Sequence, residues 1–296
     1  MKKLIITGAS GFLGWHLCRL LRSQWDIYGT YQRHPLDFPD IQGIPLDLAD
    51  SAALVEFFRG VQPDAVIHTA ALSSPNACQE QPELSYRLNV VATAELASLC
   101  AAAQVPLVFT SSEQVFDGMR SPYCETDPVS PLNRYGEHKV MAEREVRSRY
   151  PTATVCRMPL MFGVAASAPS FLQPFLETLK AGKPLNLFTD EFRTPASGTT
   201  AAKGIEIALE HCPPVLHLGG GDRISRYAFG ELLVELLQLS PVLLHPCLQS
   251  EVRMAAPRPA DVSLDSSLAF SLGYSPKSIR EELAAILGWE SRFVEG

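Results

Sequence analysis

The sequence predicts a doubly wound α/β domain over residues 1–160, a parallel sheet covered by helices on both faces, and a smaller C-terminal lobe over residues 161–296. Three observations carry this expectation. Short apolar runs alternate with helical patterns through the first half, and such alternation implies right-handed crossovers feeding a parallel sheet. A glycine-rich turn stands directly after the first apolar run. Beyond residue 160 the texture changes, with Pro, Gly and Ser clustered at 163–169, 195–198 and 213–221.

Taken in order, Lys3–Thr7 reads as a strand, Phe12–Leu21 has helical spacing, and Asp26–Tyr31 is again strand-like. Ser51–Arg59 reads as a helix with Ser51 in a capping position. Ala65–His68 is a strand, Pro82–Ala103 one long helix, and Leu107–Ser111 a strand. Asn133–Tyr150 reads as a helix and Thr154–Arg157 as a strand. In the second half Phe171–Lys180 and Arg226–Leu239 are amphipathic helices, and the short strand at 215–218 is placed to rejoin the sheet. No internal repeat appears.

Composition narrows the function. The chain has 296 residues, 46% hydrophobic and 19% charged, which suits one large globular domain or two small ones. Lys plus Arg is 25 against 32 Asp plus Glu, a net charge of −7, and the bases are scattered. That argues against a nucleic-acid or anionic-membrane partner. The most apolar run, Ala97–Phe109, is interrupted by Gln104 and Pro106 and falls short of the roughly 18 residues a span needs. The start carries no signal-peptide core, so a cytoplasmic location is expected. Seven widely spaced cysteines without a CxxC pair suggest buried thiols, with no metal and no disulfide framework.

The glycines of the turn are Gly8, Gly11 and Gly14. In a Rossmann-type site the first permits the tight turn, the second lets the backbone approach a pyrophosphate, and the third lets helix and sheet pack closely. The helix N-terminus then offers N–H groups and partial positive charge to the phosphates. The stretch 28–34, after the second strand, holds no acid but does hold Arg33. A carboxylate there would repel a 2′-phosphate and a guanidinium would pair with it, so NADP is expected in preference to NAD.

Tyr135 and Lys139 stand four residues apart on one helix, hence on one face. An ammonium near a phenol is expected to lower its pKa, letting Tyr135 serve as proton donor to a carbonyl. Ser112, at the carboxyl end of a strand, is placed to hydrogen-bond that carbonyl.

With these residues placed, the sequence resembles the extended short-chain dehydrogenase/reductases, and more narrowly their dTDP-4-dehydrorhamnose reductase-like branch. The marks are TGASGFLG at 7–14, LDLAD at 46–50, HTAA at 68–71, Asn89, TSSEQVFDG at 110–118, SPYCETDPVSPLNRYGEHKVMAE at 121–143 and RMPLMFG at 157–163. FRTP at 192–195, LHLGGGDRISRYAFG at 216–230 and RPADVSLD at 258–265 follow. The resemblance implies that Gly8, Gly11, Phe12 and Leu13 cradle the pyrophosphate, that Asp47 and Leu48 flank the adenine, and that Ala70, Ala71 and Ser73 line the cofactor. Met158 and Pro159 would lie by the nicotinamide. Ser112, Tyr135 and Lys139 would be the catalytic set, and Asn89 a structural or proton-relay residue. His68 reads as a packing residue at a strand end.

Glu113 and Gln114 stand where the branch usually has Asp-Tyr, and Asn76 stands where it usually has an acid, which implies an altered substrate. Arg193, Arg226 and Arg258 are candidate partners for an anion such as a nucleotide-sugar diphosphate. The leading expectation is an NADP-dependent reductase of a keto group on a sugar nucleotide or similar small molecule, with a homodimer expected by analogy. The alternatives are an NAD-dependent nucleotide-sugar epimerase or dehydratase, and a cofactor-binding regulatory subunit with little catalysis.

Overall fold

A computed structural model describes residues 1–294, and the side chains of residues 1–288. Its centre is a parallel sheet of seven strands: β1 (Lys3–Thr7), β2 (Asp26–Tyr31), β3 (Gln42–Pro45), β4 (Ala65–His68), β5 (Leu107–Ser112), β6 (Thr154–Met158) and β7 (Val215–His217). The order across the sheet is β7-β6-β5-β4-β1-β2-β3, and each neighbouring pair is parallel. The chain therefore builds outward from β1 to one edge, returns to β4, and builds to the other edge. The reversal between β1 and β4 opens a crevice at the strands' carboxyl ends, the place where such sheets bind ligands.

Every residue of β4, β5 and β6 is buried, because helices cover both faces. The helices are α1 (Phe12–Leu21), α2 (Ser51–Val61), α3 (Pro75–Glu80), α4 (Pro82–Tyr86), α5 (Ala92–Ala103), α6 (Arg134–Arg149), α7 (Leu172–Lys180), α8 (Gly198–His211), α9 (Arg226–Leu236), α10 (Ser267–Ser271) and α11 (Ile279–Val294). Alternation along β1 sorts its side chains between two cores. Leu4 and Ile6 join Leu13 and Leu17 of α1 and Ala201 and Ile205 of α8. Ile5 faces the other way, among Leu54 and Phe58 of α2, Leu96 of α5 and Val146 of α6. Helix α8 was not foreseen in the sequence. It packs beside α1 on the sheet, so part of the second half of the chain completes the first half's helical layer.

The lobe has a third core. Phe162, Leu172 and Leu176 pack with Leu187, Phe229, Leu233 and Leu283, around the paired strands Leu185–Phe188 and Leu244–Cys247. A fourth cluster of Val115, Phe116, Tyr123, Val262 and Leu264 fastens the segment after β5 to residues 262–264. That contact brings residues 257–260 over the carboxyl edge of the sheet: a Cβ on Gly118 would lie 2.9 Å from the nitrogen of Ala260.

The structure corrects several expected boundaries. The long helix Pro82–Ala103 is broken by a π turn, Arg87–Val91, between α4 and α5. The strand expected to stop at Ser111 runs on to Ser112, and the helix expected to reach Leu239 stops at Leu236. Among the described residues, no helix is long and apolar enough to cross a membrane.

Candidate active site

The turn after β1 is built by close approach. Gly8 has φ +68°, and a Cβ there would stand 2.7 Å from the Cα of Ala70. A Cβ on Gly14 would stand 2.2 Å from the carbonyl oxygen of Gly8, so only glycine lets α1 start this near the strand. Helix α1 has Gly11 as its N-cap, with no side-chain cap, leaving the N–H groups of its first turn, at Phe12, Leu13 and Gly14, without intrahelical acceptors. The turn is tied to the end of β2, where Ala9 N donates to Thr30 O at 2.9 Å. Arg33 follows β2 on the exposed rim. Asp47, exposed, and Leu48, buried, stand just past β3 on the same edge.

The loop after β4, carrying Ala70, Ala71 and Ser73, is held from both sides. Thr69 Oγ1 donates to Thr7 O at 2.7 Å. From the π turn, Asn89 clamps Leu72 as a strand neighbour would: its Oδ1 accepts from Leu72 N at 2.8 Å and its Nδ2 donates to Leu72 O at 3.1 Å. The extra residue of a π turn re-aims a helical side chain, and here it aims the carboxamide of Asn89 at this loop. His68 is fully interior between Thr7 and Thr93, a packing position. On the far side of the crevice, buried Met158 ends β6 and Pro159 follows.

Ser112, Tyr135 and Lys139 converge at the carboxyl end of β5, all three buried. Asn133 caps α6, its Oδ1 accepting from Gly136 N at 2.9 Å. Its Nδ2 donates to Gln114 Oε1 and to Pro257 O, each at 3.0 Å. A Cβ on Gly136 would lie 2.2 Å from Gln114 O, so the helix can press against the loop and bring the Tyr135 phenol near Ser112, whose hydroxyl pulls the phenol's pKa down. Lys139 Nζ donates to Thr110 O at 2.9 Å and lies 5.9 Å from the centroid of the Tyr135 ring.

Burial sets the protonation states. It raises the Tyr135 phenol above its ordinary value, outweighing the hydrogen bond with Ser112 that pulls it down. It also lowers Lys139 to about 8, against the opposing pull of Cys78 and Glu143. The expected depression of the phenol by the ammonium is therefore overridden here by desolvation. The phenol carries its proton at neutral pH, the state a proton donor requires.

Glu113 and the candidate arginines gather beside Ser112, but the chain itself supplies much of their company. Arg193 Nε pairs with Glu113 Oε1 at 3.1 Å. Its remaining nitrogens donate to the carbonyls of Phe192, Ala260 and Pro259. Arg226 Nε donates to Glu191 Oε1 at 3.1 Å, and Arg258 Nη2 to Asn76 Oδ1 at 3.2 Å. Arg193, expected as an anion partner, is instead engaged internally. Gln114, expected to face substrate, is turned toward Asn133. Glu191 and Asn133 had not been singled out. The position of Asn133 before an apolar helical pattern was a usable capping signal; nothing local pointed to Glu191.

Residues 1–291 match the family model described as RmlD substrate binding domain. The chain is 29% identical over 288 residues to a probable low-salt glycan biosynthesis reductase, Agl14, of Haloferax volcanii, covering 95% of this chain and 96% of that protein. It is 30% identical over 299 residues to methionine adenosyltransferase 2 subunit beta of Xenopus laevis, covering 95% and 87%. Among solved structures it is similar to a hypothetical dTDP-4-dehydrorhamnose reductase from Sulfolobus tokodaii, with TM-score 0.84, 30% identity and coverage of 94% and 98%.

Proposed function

Since the chain belongs to the RmlD substrate binding domain family, we propose that it is a nicotinamide-dependent short-chain dehydrogenase/reductase that reduces a keto group of a sugar nucleotide, with NADPH as the cofactor. The observation that carries the reading is the convergence of buried Ser112, Tyr135 and Lys139 on the edge of the crevice whose opposite wall is the turn Gly8–Gly14. The dinucleotide fits that turn on steric grounds: the space a Cβ would fill at Gly8 and Gly14 is taken by backbone, so the chain presents bare N–H groups there. When bound, reduced nicotinamide supplies hydride.

The chain's own residues do the rest. Ser112 orients the carbonyl oxygen by hydrogen bonding, and Tyr135, protonated through its burial, gives that oxygen its proton. Lys139 is a positive charge beside the phenol, held by Thr110, that steadies the phenolate left behind. Arg33 on the rim of β2 favours the 2′-phosphate of NADPH. Residues 1–160, with α8 and β7, hold the dinucleotide, and most of residues 161–296 shape the substrate cleft. We place the enzyme in the cytoplasm.

The test is NADPH consumption with a 4-keto nucleotide sugar. Tyr135→Phe is expected to keep NADPH affinity and lower turnover by about 10²–10⁴-fold, the range for loss of a general acid; unchanged turnover refutes the assignment. The 30% identity to a methionine adenosyltransferase subunit supports a second reading, a regulatory subunit. Absent turnover together with a stoichiometric partner on pull-down selects it. An epimerase or dehydratase would instead copurify with NAD(H) and consume none, and the absence of an acid from residues 28–34 weighs against it.

A further inference from the structure

The face of α6 that carries Tyr135 and Lys139 continues to Glu143. The three stand at successive spacings of four, the interval that lines side chains up on one helix face, and all three are buried. A buried carboxylate and a buried ammonium each persist only with partners. The partners of these two differ in kind.

Glu143 is held on both oxygens. Its Oε1 accepts from Ser111 Oγ at 2.5 Å and from Arg157 Nε at 3.1 Å, and its Oε2 accepts from Arg157 Nη2 at 2.9 Å. This is the bidentate fork that fixes a carboxylate in direction as well as in charge. Ser111 and Arg157 are register partners on β5 and β6, so the sheet offers both to the helix side by side. Arg157 is fixed in turn. Its Nη1 donates to Glu125 O at 3.3 Å and meets His217 Nε2 at 3.3 Å, and its guanidinium lies 5.1 Å from the centroid of the Phe116 ring. His217 Nδ1 lies 3.0 Å from the carbonyl oxygen of Tyr123. That nitrogen therefore carries the proton, and Nε2 is bare to accept from Arg157.

Lys139 is held by neutral groups. Its Nζ donates to Thr110 O and lies 4.9 Å from the centroid of the Phe109 ring. The titratable groups that face it come from three elements: Tyr135 and Glu143 from α6 itself, Cys78 from α3, and His68 from β4. Tyr135 keeps its proton at neutral pH. Burial pushes the Cys78 thiol up, so it too stays uncharged. His68 is neutral, held down by burial and by Lys139. Among the described residues, Glu143 is then the negative charge that acts on the ammonium, opposing the burial that would strip its proton.

Resting on the reductase reading above, we infer that Glu143 is a positioning residue for the reaction: locked by Arg157 and Ser111 behind Lys139, it keeps the buried ammonium charged and so able to steady the Tyr135 phenolate. Arg157 holds the carboxylate ionised and in place, and the ion pair acts on Lys139 through its negative end. Glu143 works through Lys139 alone and not on the reacting atoms.

The test titrates Lys139 directly, by NMR of the full chain labelled with carbon-13 at the lysine Cε. The resonance missing from Lys139→Met identifies the residue, and in the wild type its midpoint is expected at about 8. Glu143→Gln alone would leave the Arg157 charge buried and unpaired, which is strongly destabilising, whereas removing both members of a buried pair is far milder. The main variant is therefore Glu143→Gln with Arg157→Gln. Its Lys139 midpoint should fall by about one pH unit, in the range for loss of a nearby opposite charge. Glu143→Asp keeps the ion pair but draws the carboxylate back; its midpoint should fall by a smaller step, and it carries the test if the double variant does not fold. A packing role alone would lower the melting temperature and leave the midpoint in place, so an unmoved midpoint in a folded variant overturns the inference. In the reduction assay the alkaline limb of kcat should move down with the midpoint. A limb that stays while the midpoint moves also overturns the inference, because the lysine's charge then plays no part in turnover. A wild type that reduces no 4-keto nucleotide sugar, with a lysine midpoint that still responds to Glu143, overturns the reductase reading and leaves the charge coupling standing.

Discussion

Acidification from about pH 7.5 to about pH 5 is expected to remove about 2 kcal/mol of stability through His68 alone. The hydrogen-bond network fixes its tautomer. Thr93 Oγ1 already donates to Asn89 O at 2.8 Å, so the 2.9 Å contact with His68 Nε2 requires the ring nitrogen to donate. Nδ1 is then bare and accepts from Thr7 Oγ1 at 2.6 Å. A second ring proton would have to displace the Thr7 hydroxyl, in an interior site that also lies near the charge of Lys139. Burial, and then Lys139, lower the pKa from 6.5 to about 3. The sign follows from proton uptake. Between 6.5 and about 3 the unfolded chain binds a proton that the folded chain refuses, so stability present above 6.5 is lost as the pH falls. At pH 5 the unfolded histidine is about 1.5 units below its pKa, and each unit is worth about 1.4 kcal/mol. His16 and His217, both lowered to about 4, act in the same direction. Glu113, raised to about 7 by burial, opposes them, because the folded chain keeps a proton that the unfolded chain releases above 4.5. His68→Gln isolates the one contribution: it is neutral and still bears a donor and an acceptor. Urea denaturation of wild type and variant at both pH values should show the variant losing about 2 kcal/mol less on acidification. Equal losses refute the reasoning.

Arg33→Asp is expected to lower NADPH affinity by at least about tenfold while NADH affinity holds or rises, since a charge-assisted hydrogen bond becomes a repulsion; fluorescence titration with both nucleotides reads the ratio, and an unchanged ratio removes Arg33 from the site. Gly14→Ala puts a methyl group 2.2 Å from Gly8 O, so α1 must move off the turn. Cofactor binding should be lost and the melting temperature should fall, and wild-type NADPH affinity in this variant would falsify the close-approach account.

The sheet was legible because its strands carry continuous apolar runs. β1, β2 and β4 occupy the expected residues, and β5 and β6 each extend one residue further. What stayed hidden has physical causes. Helix α8 begins Gly-Thr-Thr-Ala-Ala-Lys-Gly, a composition that reads as loop. Those small residues are what the packing demands: a Cβ on Gly198 would lie 2.2 Å from the His16 ring, and one on Gly204 2.7 Å from Leu218. β3 is a short edge strand, Gln-Gly-Ile-Pro, with little buried surface to give it a pattern; its terminal proline is tolerated at an edge. The π turn leaves no mark because one extra residue hardly disturbs the apolar spacing of α4 and α5, although it decides where Asn89 points.

The same contrast separates the two halves of the site. Ser112, Tyr135 and Lys139 come from a strand end and a four-residue helical spacing, both local features, and the fold brings the three together. The arginines come from segments far apart in the chain, and a guanidinium in a sequence does not say which anion it meets. Arg193 and Arg226 both have carboxylates of the chain against them, and Glu191, four residues before Pro195, gave no sign of this. An arginine therefore counts toward a ligand only after the protein's own carboxylates and carbonyls have been assigned. Once they are, Arg193 drops out, and the unpartnered Nη1 atoms of Arg226 and Arg258 remain.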